Sequence, residues 1–535
     1  MNIYCKIVLV LTLGVGSAGF GGQECVCVDL GRQLFVDGFL IAATQGLECV
    51  YHHPVKYPGN PVLRPETPWE VNTPGNAVAL PKGGGLWWDE ERQVFRLWYE
   101  AGWCREICYA ESADGIRWER PCLDVVPGTN RVLPDRQVDS WSVVPDPSAP
   151  PEGRWKLFVS SYWSWKEGRG TGHGTVYTSP DGIHWTYRGD TGRCGDRSTM
   201  YYDPFRGKWV WSLRCGWSGA RSRAYHDSPD FLSGALWHWP IAPGKGGGGV
   251  EFTNTVDCVK WLAADEMDVQ HGRPHENERA SLYCFDAVAY ESIMLGAFEI
   301  HWGPENDKCM ERGLPKITEI QFCYSRDGRN FLRPDRTAAI AAERWGAYGK
   351  KWDVGYVQPL SNICVVRGDR LYFYYGAFSG DVNRLGKDDI GMPLAMNGNM
   401  NGIYANGAMG LAILRRDGFA GLRASATGVV TTRPLVFSKR RLFVNLDAPG
   451  GRLSTEVLDA QSERVLARLG DVAGDSTKLE VGDGDVSVFA GRAVRLRFTL
   501  ERGELYSFWL APDARGASGG YLAGGGPGYR GLRDL

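Results

Sequence analysis

Ser179-Pro180-Asp181-Gly182-Ile183-His184-Trp185 has two close copies in the chain. They are Ser112-Ala113-Asp114-Gly115-Ile116-Arg117-Trp118 and Ser325-Arg326-Asp327-Gly328-Arg329-Asn330-Phe331. Shorter versions stand at Ser228-Pro229-Asp230-Phe231 and Arg416-Asp417-Gly418-Phe419. An Asp-Gly step makes a tight hairpin turn, because glycine accepts positive φ and the aspartate side chain bonds its own backbone. The aromatic residue three places after the glycine can fold back onto the sheet. A hairpin repeated at this spacing is the mark of repeated blades.

Outward from each hairpin the sequence is strand-like. Val94-Phe95-Arg96-Leu97-Trp98-Tyr99, Trp155-Lys156-Leu157-Phe158-Val159, Lys208-Trp209-Val210-Trp211-Ser212-Leu213 and Leu371-Tyr372-Phe373-Tyr374-Tyr375 are short and aromatic, and each follows a polar turn. No helical period is sustained between residues 76 and 430. The expected fold class is therefore all-β. Units centred near residues 95, 157, 210, 285 and 373 give a five-bladed β-propeller over 76–430, at about 71 residues per blade. The stretches 241–250, 265–280 and 386–408 look like loop insertions. Even strands over 431–511 predict a small β-sandwich. Residues 26–75 read as an N-terminal strand followed by an extended, proline-rich segment. Residues 512–535 are glycine-rich and are expected to be disordered.

Composition narrows the function. Acidic and basic residues nearly balance, 62 against 60, which argues against nucleic acid or an anionic membrane as partner. Most of the 21 Trp are expected to pack between blades, and a surplus also suits a carbohydrate partner, since the apolar face of a pyranose stacks on a flat ring. Lys6, the apolar run Ile7 to Gly16 and the small residues Ser17-Ala18-Gly19 read as a secretory signal over residues 1–19. That implies a secreted or periplasmic protein with no membrane attachment once the signal is cleaved. Of the 14 Cys, Cys5 would leave with the signal. Cys25 or Cys27 with Cys49 is a candidate disulfide. Cys104 and Cys108 lack further zinc ligands at suitable spacing, so no metal site and no cofactor are expected. Converging carboxylates and carbonyls in a channel would still suit a structural calcium.

The hairpins, the five blades and the C-terminal sandwich resemble the five-bladed β-propeller glycoside hydrolases, the broad group around families 32, 43 and 130. More closely, the chain resembles secreted bacterial proteins of that type. Gly195-Asp196-Arg197-Ser198-Thr199, Tyr290-Glu291-Ser292 and Arg415-Arg416-Asp417-Gly418-Phe419 carry the likeness, which spans nearly all of residues 30–511. It implies a site in the central funnel, where innermost strands of different blades each present an acid. Glycoside cleavage uses one carboxylic acid to protonate the leaving oxygen and a carboxylate as base or nucleophile.

Candidates follow from the acids at or within each unit's first strand. Glu291, inside the apolar run Ala287-Val288-Ala289-Tyr290-Glu291, must be paired, protonated or functional. Asp196 and Asp139 complete the catalytic expectation, and Asp353 begins the fifth unit. Asp139 and Asp353 are also placed to cap turns. In families 32 and 43 the first blade carries an Asp; here it reads Asn76, with Glu70 the nearest acid. Arg197, Arg214, Arg221 and Arg223 cluster in the third unit. Guanidinium forks bind carboxylates, and they equally balance Asp196 and Glu291. Tyr290, His301 and Trp302 are further candidates for lining the sugar pocket. Asp114, Asp181 and Asp327 are assigned to the outer hairpins. A non-catalytic carbohydrate-binding propeller is the alternative, supported by Asn76. A sialidase-like enzyme fits less well: Tyr290 and Glu291, adjacent on one strand, should face opposite ways.

Overall fold

In each of the three full hairpin motifs the aspartate folds the turn as its sequence dictates. Asp181 Oδ1 accepts the amides of Ile183 (2.8 Å) and His184 (2.9 Å), and Ser179 Oγ accepts that of Gly182. Asp114 and Asp327 do the same for Ile116 and Arg117 and for Arg329 and Asn330. The glycine carbonyl of each motif accepts a bond from a neighbouring unit. Trp98 Nε1 donates to Gly182 O at 2.7 Å, Arg206 to Gly328 O at 3.1 Å, and Tyr374 Oη to Gly115 O at 2.8 Å. The last of these joins a late unit to an early one.

The computed structural model of the chain describes residues 19–20, 23–71, 76–133, 138–161, 163–164, 169–170, 172–217, 219–239, 252–269, 279–305, 308–309, 314–343, 351–381 and 403–535. The signal expected over residues 1–19 and the insertion at 241–250 lie outside them, apart from Gly19. So do the greater parts of 265–280 and 386–408. None of the described helices is long and apolar enough to cross a membrane.

The described chain is nearly all strand, in curled antiparallel meanders. Ala79–Asp89, Val94–Ala101, Glu106–Ser112 and Arg131–Leu133 pair in sequence order. Ser140–Pro145, Trp155–Ser161, His173–Ser179 and Thr186–Arg193 repeat the pattern. So do Thr199–Asp203, Lys208–Trp217, Ala220–Ser228 and Val259–Ala263. Ser281–Glu291, Ile293–Gly303 and Ile317–Ser325 follow, with Leu332 and Ile340 bridging to the outer strand. Gly355–Arg367, Arg370–Phe378 and Ala408–Arg415 are completed by an N-terminal strand, Val55–Lys56, through Lys56↔Ala412 and Val55↔Ile413.

First strands of different meanders meet one another. Trp141 and Leu360 both pair in parallel with Gly83. Ser142 Oγ accepts from Met200 N and Ser361 Oγ, and Thr199 Oγ1 donates to Phe285 O. Gly83 (φ +88°) is needed here, because a Cβ would stand 2.6 Å from Trp141 O.

Ala420–Thr432, Arg441–Asp459, Val465–Asp485 and Val494–Ala511 form a second sheet with its own core, including Leu442, Val444, Leu496, Phe498 and Phe508. The segment 26–75, expected as a strand and an extended run, contributes most of its strands here. Val26–Cys27, Gln33–Leu34, Ile41–Gln45 and Glu48–Tyr51 all join this sheet, and Val28, Phe35 and Leu40 enter its core. No disulfide joins Cys25, Cys27 or Cys49, so the expected pairing is not formed. Cys27 pairs beside Val436 and Cys49 beside Leu422, on different strands of the sheet.

Residues 512–535 are not disordered. Tyr521–Leu522 pairs with Tyr290 and Glu291, Gly524 N donates to Cys364 O, and Trp509 Nε1 donates to Gly516 O. The glycines serve close backbone approach: a Cβ on Gly520 would lie 2.1 Å from Glu291 Oε2, and one on Gly526 1.7 Å from Val366 O. Composition alone does not separate that use of glycine from flexibility.

Candidate active site

Lys82 lies in Leu80-Pro81-Lys82-Gly83-Gly84-Gly85, where the pairing register shifts between Leu80 and Gly85. Its side chain is wholly buried. The ammonium donates to Asp139 Oδ1 at 2.9 Å, lies 3.5 Å from Glu100 Oε1, and sits 3.8 Å over the ring of Trp103. Asp139 comes from the residue before Ser140–Pro145 and Glu100 from Val94–Ala101. Asp139 Oδ1 and Glu100 Oε1 can be no further apart than those two contacts laid end to end, which keeps them below the ~9.5 Å upper limit of glycosidase carboxyl pairs. Glu100 also accepts the amide of Cys104 at 2.7 Å.

One cation thus holds two carboxyls in different states. Burial pushes Glu100 up to about 7, against the pull of Lys82. Burial acts on Asp139 as well, but Lys82, with Arg197 and Arg214, outweighs it and holds that carboxyl below its ordinary value. Burial alone would discharge Lys82; Asp139, Cys104 and Glu100 keep it charged. A quarter of the Asp139 side chain, 25%, reaches solvent, while Glu100 is closed off; Asp139 Oδ2 and Glu100 Oε2 are both buried without a hydrogen-bond partner among the described residues.

The adjoining wall is cationic. Arg214 and Arg223 are cross-strand partners on the hairpin Lys208–Trp217/Ala220–Ser228, and Arg221, two residues from Arg223, shares their face. Arg214 pairs with Asp196. Arg223 braces backbone, donating to Ser212 Oγ and Arg197 O. Arg197 (φ +57°) bonds Glu299 at 2.9 Å. Arg221 lies 4.0 Å over the ring of Tyr283, whose hydroxyl accepts from Lys316 (2.7 Å) and Tyr356 (3.1 Å). Burial opposes ionisation of Tyr283, yet Lys316 and Arg221 bring it down to about 7. Arg214 is pushed down to about 9, by burial and then by Arg221. Burial raises Asp286 to about 6. His301, beside Tyr283, is driven well below its usual range by burial, Lys316 and Arg221.

Of the residues singled out from sequence, Asp139, Asp196, Arg197, Arg214, Arg223 and His301 belong to one connected cluster. The other candidates lie elsewhere. Glu291 ends the strand Ser281–Glu291, eight residues beyond Tyr283, or about 26 Å at strand rise. Arg416 (2.9 Å) and Arg32 (3.5 Å) flank it, and Ser518 Oγ and Arg32 N donate to it. Burial raises its carboxyl despite both arginines. Tyr290 Oη donates to Asp417 at 2.6 Å, and Trp302 Nε1 to Glu319 at 2.9 Å. Asp353 accepts from Lys56 (2.7 Å) and Tyr375 (3.0 Å), and Glu70 from Tyr99, Arg120, Glu66 N and Thr67 N. Each of these is saturated by structural partners.

Lys82, Glu100, Tyr283, Asp286, Glu299 and Lys316 were not expected. Glu100 and Glu299 sit on second strands, away from the strand starts where the sequence pattern places acids. The usable signal for Lys82 was a cation set between Pro81 and three glycines. Among the described residues there is no cluster of His, Cys, Asp and Glu able to hold a metal ion.

No protein-family model matches the chain, and no curated protein matches it. Solved structures that resemble it include a glycosyl hydrolase from Bacteroides ovatus, at 11% identity over 68% of this chain and 94% of that one, with a TM-score of 0.40. An exo-β-1,3-galactanase from Phanerochaete chrysosporium aligns at 10% identity over 83% and 99%, TM-score 0.35. A family 43 arabinoxylan arabinofuranohydrolase from Bacillus subtilis aligns at 11% over 86% and 99%, TM-score 0.34. Likenesses at this level assign no family.

Proposed function

We propose that the chain is an exported glycoside hydrolase built on a five-bladed β-propeller with a C-terminal β-sandwich. On this reading the meanders are the blades, Val55–Lys56 closes the ring, and the site opens where the first strands begin. The observation that carries it is the shared ammonium of Lys82, with one carboxyl beside it held ionised and the other held protonated up to about pH 7. Two carboxyls whose environments drive their pKa values apart are an acid and a base. Asp139, which reaches solvent, serves as base or nucleophile. Glu100 supplies the proton for the leaving oxygen through its unpartnered Oε2, which is closed off in this structure, so substrate binding must open a path to it. Asp196, held by Arg214, orients the sugar at the rim. Glu291 is assigned to structure rather than chemistry.

The test is reducing-sugar release from a broad glycan panel, with Asp139→Asn and Glu100→Gln beside the wild type. Each variant is expected to lose about 100-fold or more, the usual weight of a general acid or base. Undiminished release in both would reject the assignment. Non-catalytic sugar binding is the second reading, favoured by the buried Asn76 where families 32 and 43 carry an acid. Glycan binding without release from any panel member would select it.

A further inference from the structure

The cationic wall has no counterpart in the acid–base pair. Arg214, Arg221 and Arg223 share one face of a hairpin, with Lys316 and Arg197 alongside. Like charges gathered at this spacing repel, and burial strengthens the repulsion. The acids at hand discharge only part of the wall, and that part is Arg214 and Arg197, which Asp139 also faces. Asp196 is committed to Arg214 and Glu299 to Arg197, while burial holds Asp286 and Glu299 toward their neutral forms. Glu305 adds only a longer-range attraction to Arg221. Tyr283 registers the resulting potential, since its hydroxyl is brought to about 7.

Donors remain unused as well. Nη1 of Arg221, and Nε and Nη1 of Arg197, are buried with no hydrogen-bond partner among the described residues. Arg197 itself is 1% exposed. Buried N–H groups are normally satisfied, so unsatisfied ones call for a partner such as water, an ion or a ligand. Solvent reaches the wall at Arg214, whose side chain is 20% exposed. A planar guanidinium offers two parallel donors, which match a carboxylate.

Resting on the glycosidase reading, we infer that the wall of Arg221, Arg214 and Lys316 receives the carboxylate of a uronic acid residue beside Asp139. The hydrolase would then cleave at an acidic sugar.

Calorimetric titration of the full chain carrying Asp139→Asn, which prevents turnover, tests this. The probes are uronate oligosaccharides, their carboxyl-reduced neutral counterparts and sulfated neutral oligosaccharides. The uronates are expected to bind about tenfold or more tightly than the reduced forms, as a charge-assisted pair gives. Adding Arg221→Gln should erase that preference, and Arg221→Lys should keep only part of it. Equal binding of uronate and reduced forms would overturn the inference, as would a preference that survives Arg221→Gln. Stronger binding of the sulfated sugars would overturn the carboxylate assignment. Cleavage of neutral glycans without charge preference would sink this inference and keep the hydrolase. Uronate binding to wild type without any cleavage would sink the hydrolase and keep the anion site.

Discussion

Glu100 and Asp139 show how one lysine sorts two similar side chains. Glu100 is closed off from water and keeps its proton to about pH 7; Asp139 touches water and loses its proton early. Activity through this pair requires Glu100 protonated and Asp139 ionised. The rate should therefore fall as pH rises through about 7. It should fall again at low pH, below the ordinary Asp value, as Asp139 takes up its proton. A kcat/KM profile lacking the limb near 7 would remove Glu100 as the acid. Lys82→Gln makes a sharper claim. Without the ammonium Asp139 loses its main stabiliser, so the acidic limb should move up, by about one pH unit or more for a contact this close. An unmoved limb would mean that Lys82 does not tune Asp139. The sequence singled out Asp139 from its place before a strand. It could not single out Glu100, because Val94-Phe95-Arg96-Leu97-Trp98-Tyr99-Glu100 reads as any strand with an acid at its end. Glu291 drew notice for a sound reason, since a carboxylate among apolar residues does need a partner. That partner, Arg32, lies 259 residues away in sequence.

At the scale of elements the hairpin motif did most of the specifying. Its Ser and Asp set the turn, its Gly supplies positive φ, and all three are legible in seven residues. What the motif does for its neighbours is not legible. Gly182 has φ +75°, and a Cβ there would stand 2.6 Å from Trp98 Cζ2 and 3.2 Å from Arg96 Nη2, on the adjacent meander. Gly182→Ala is thus strained by its backbone and by the seam. A loss of about 1–3 kcal/mol in urea unfolding is expected, above the usual cost of glycine replacement where φ is positive. Retained stability would show that the seam yields. Asp181→Ala removes the acceptor of two backbone amides without touching Trp98, so it separates turn from seam. The glycine-rich tail reverses the lesson. There the same residue type was read as disorder, because close backbone approach to Glu291 and Val366 depends on chain segments far away in sequence.

Over the whole molecule, four distant parts of the chain meet at one buried charge network. Arg32 comes from the N-terminal segment, Glu291 from the meander 281–342, Arg416 and Asp417 from the start of the C-terminal sheet, and Ser518 from the tail. Tyr290 and Ser507 also donate to Asp417, and Asn445 joins it at 3.2 Å. A buried set of this kind adds little net energy when whole, but removing one member strands its partners without water or counter-charge. Glu291→Gln keeps the shape and takes the charge, leaving Arg32 and Arg416 with a neutral partner. The expected cost is about 3–5 kcal/mol in global stability. Ser518 and the Tyr521–Leu522 pairing should loosen with it, so limited proteolysis should cut within 512–535 earlier than in the wild type. Because the network stands about 26 Å from Tyr283 along one strand, kcat on an active glycan should hold at temperatures where the variant stays folded. Loss of kcat with unchanged stability and unchanged tail protection would return Glu291 to the chemistry and displace Glu100 from it. Loss of stability with intact kcat would identify this network as the joint that binds both ends of the chain to the meanders, distinct from the cluster around Lys82.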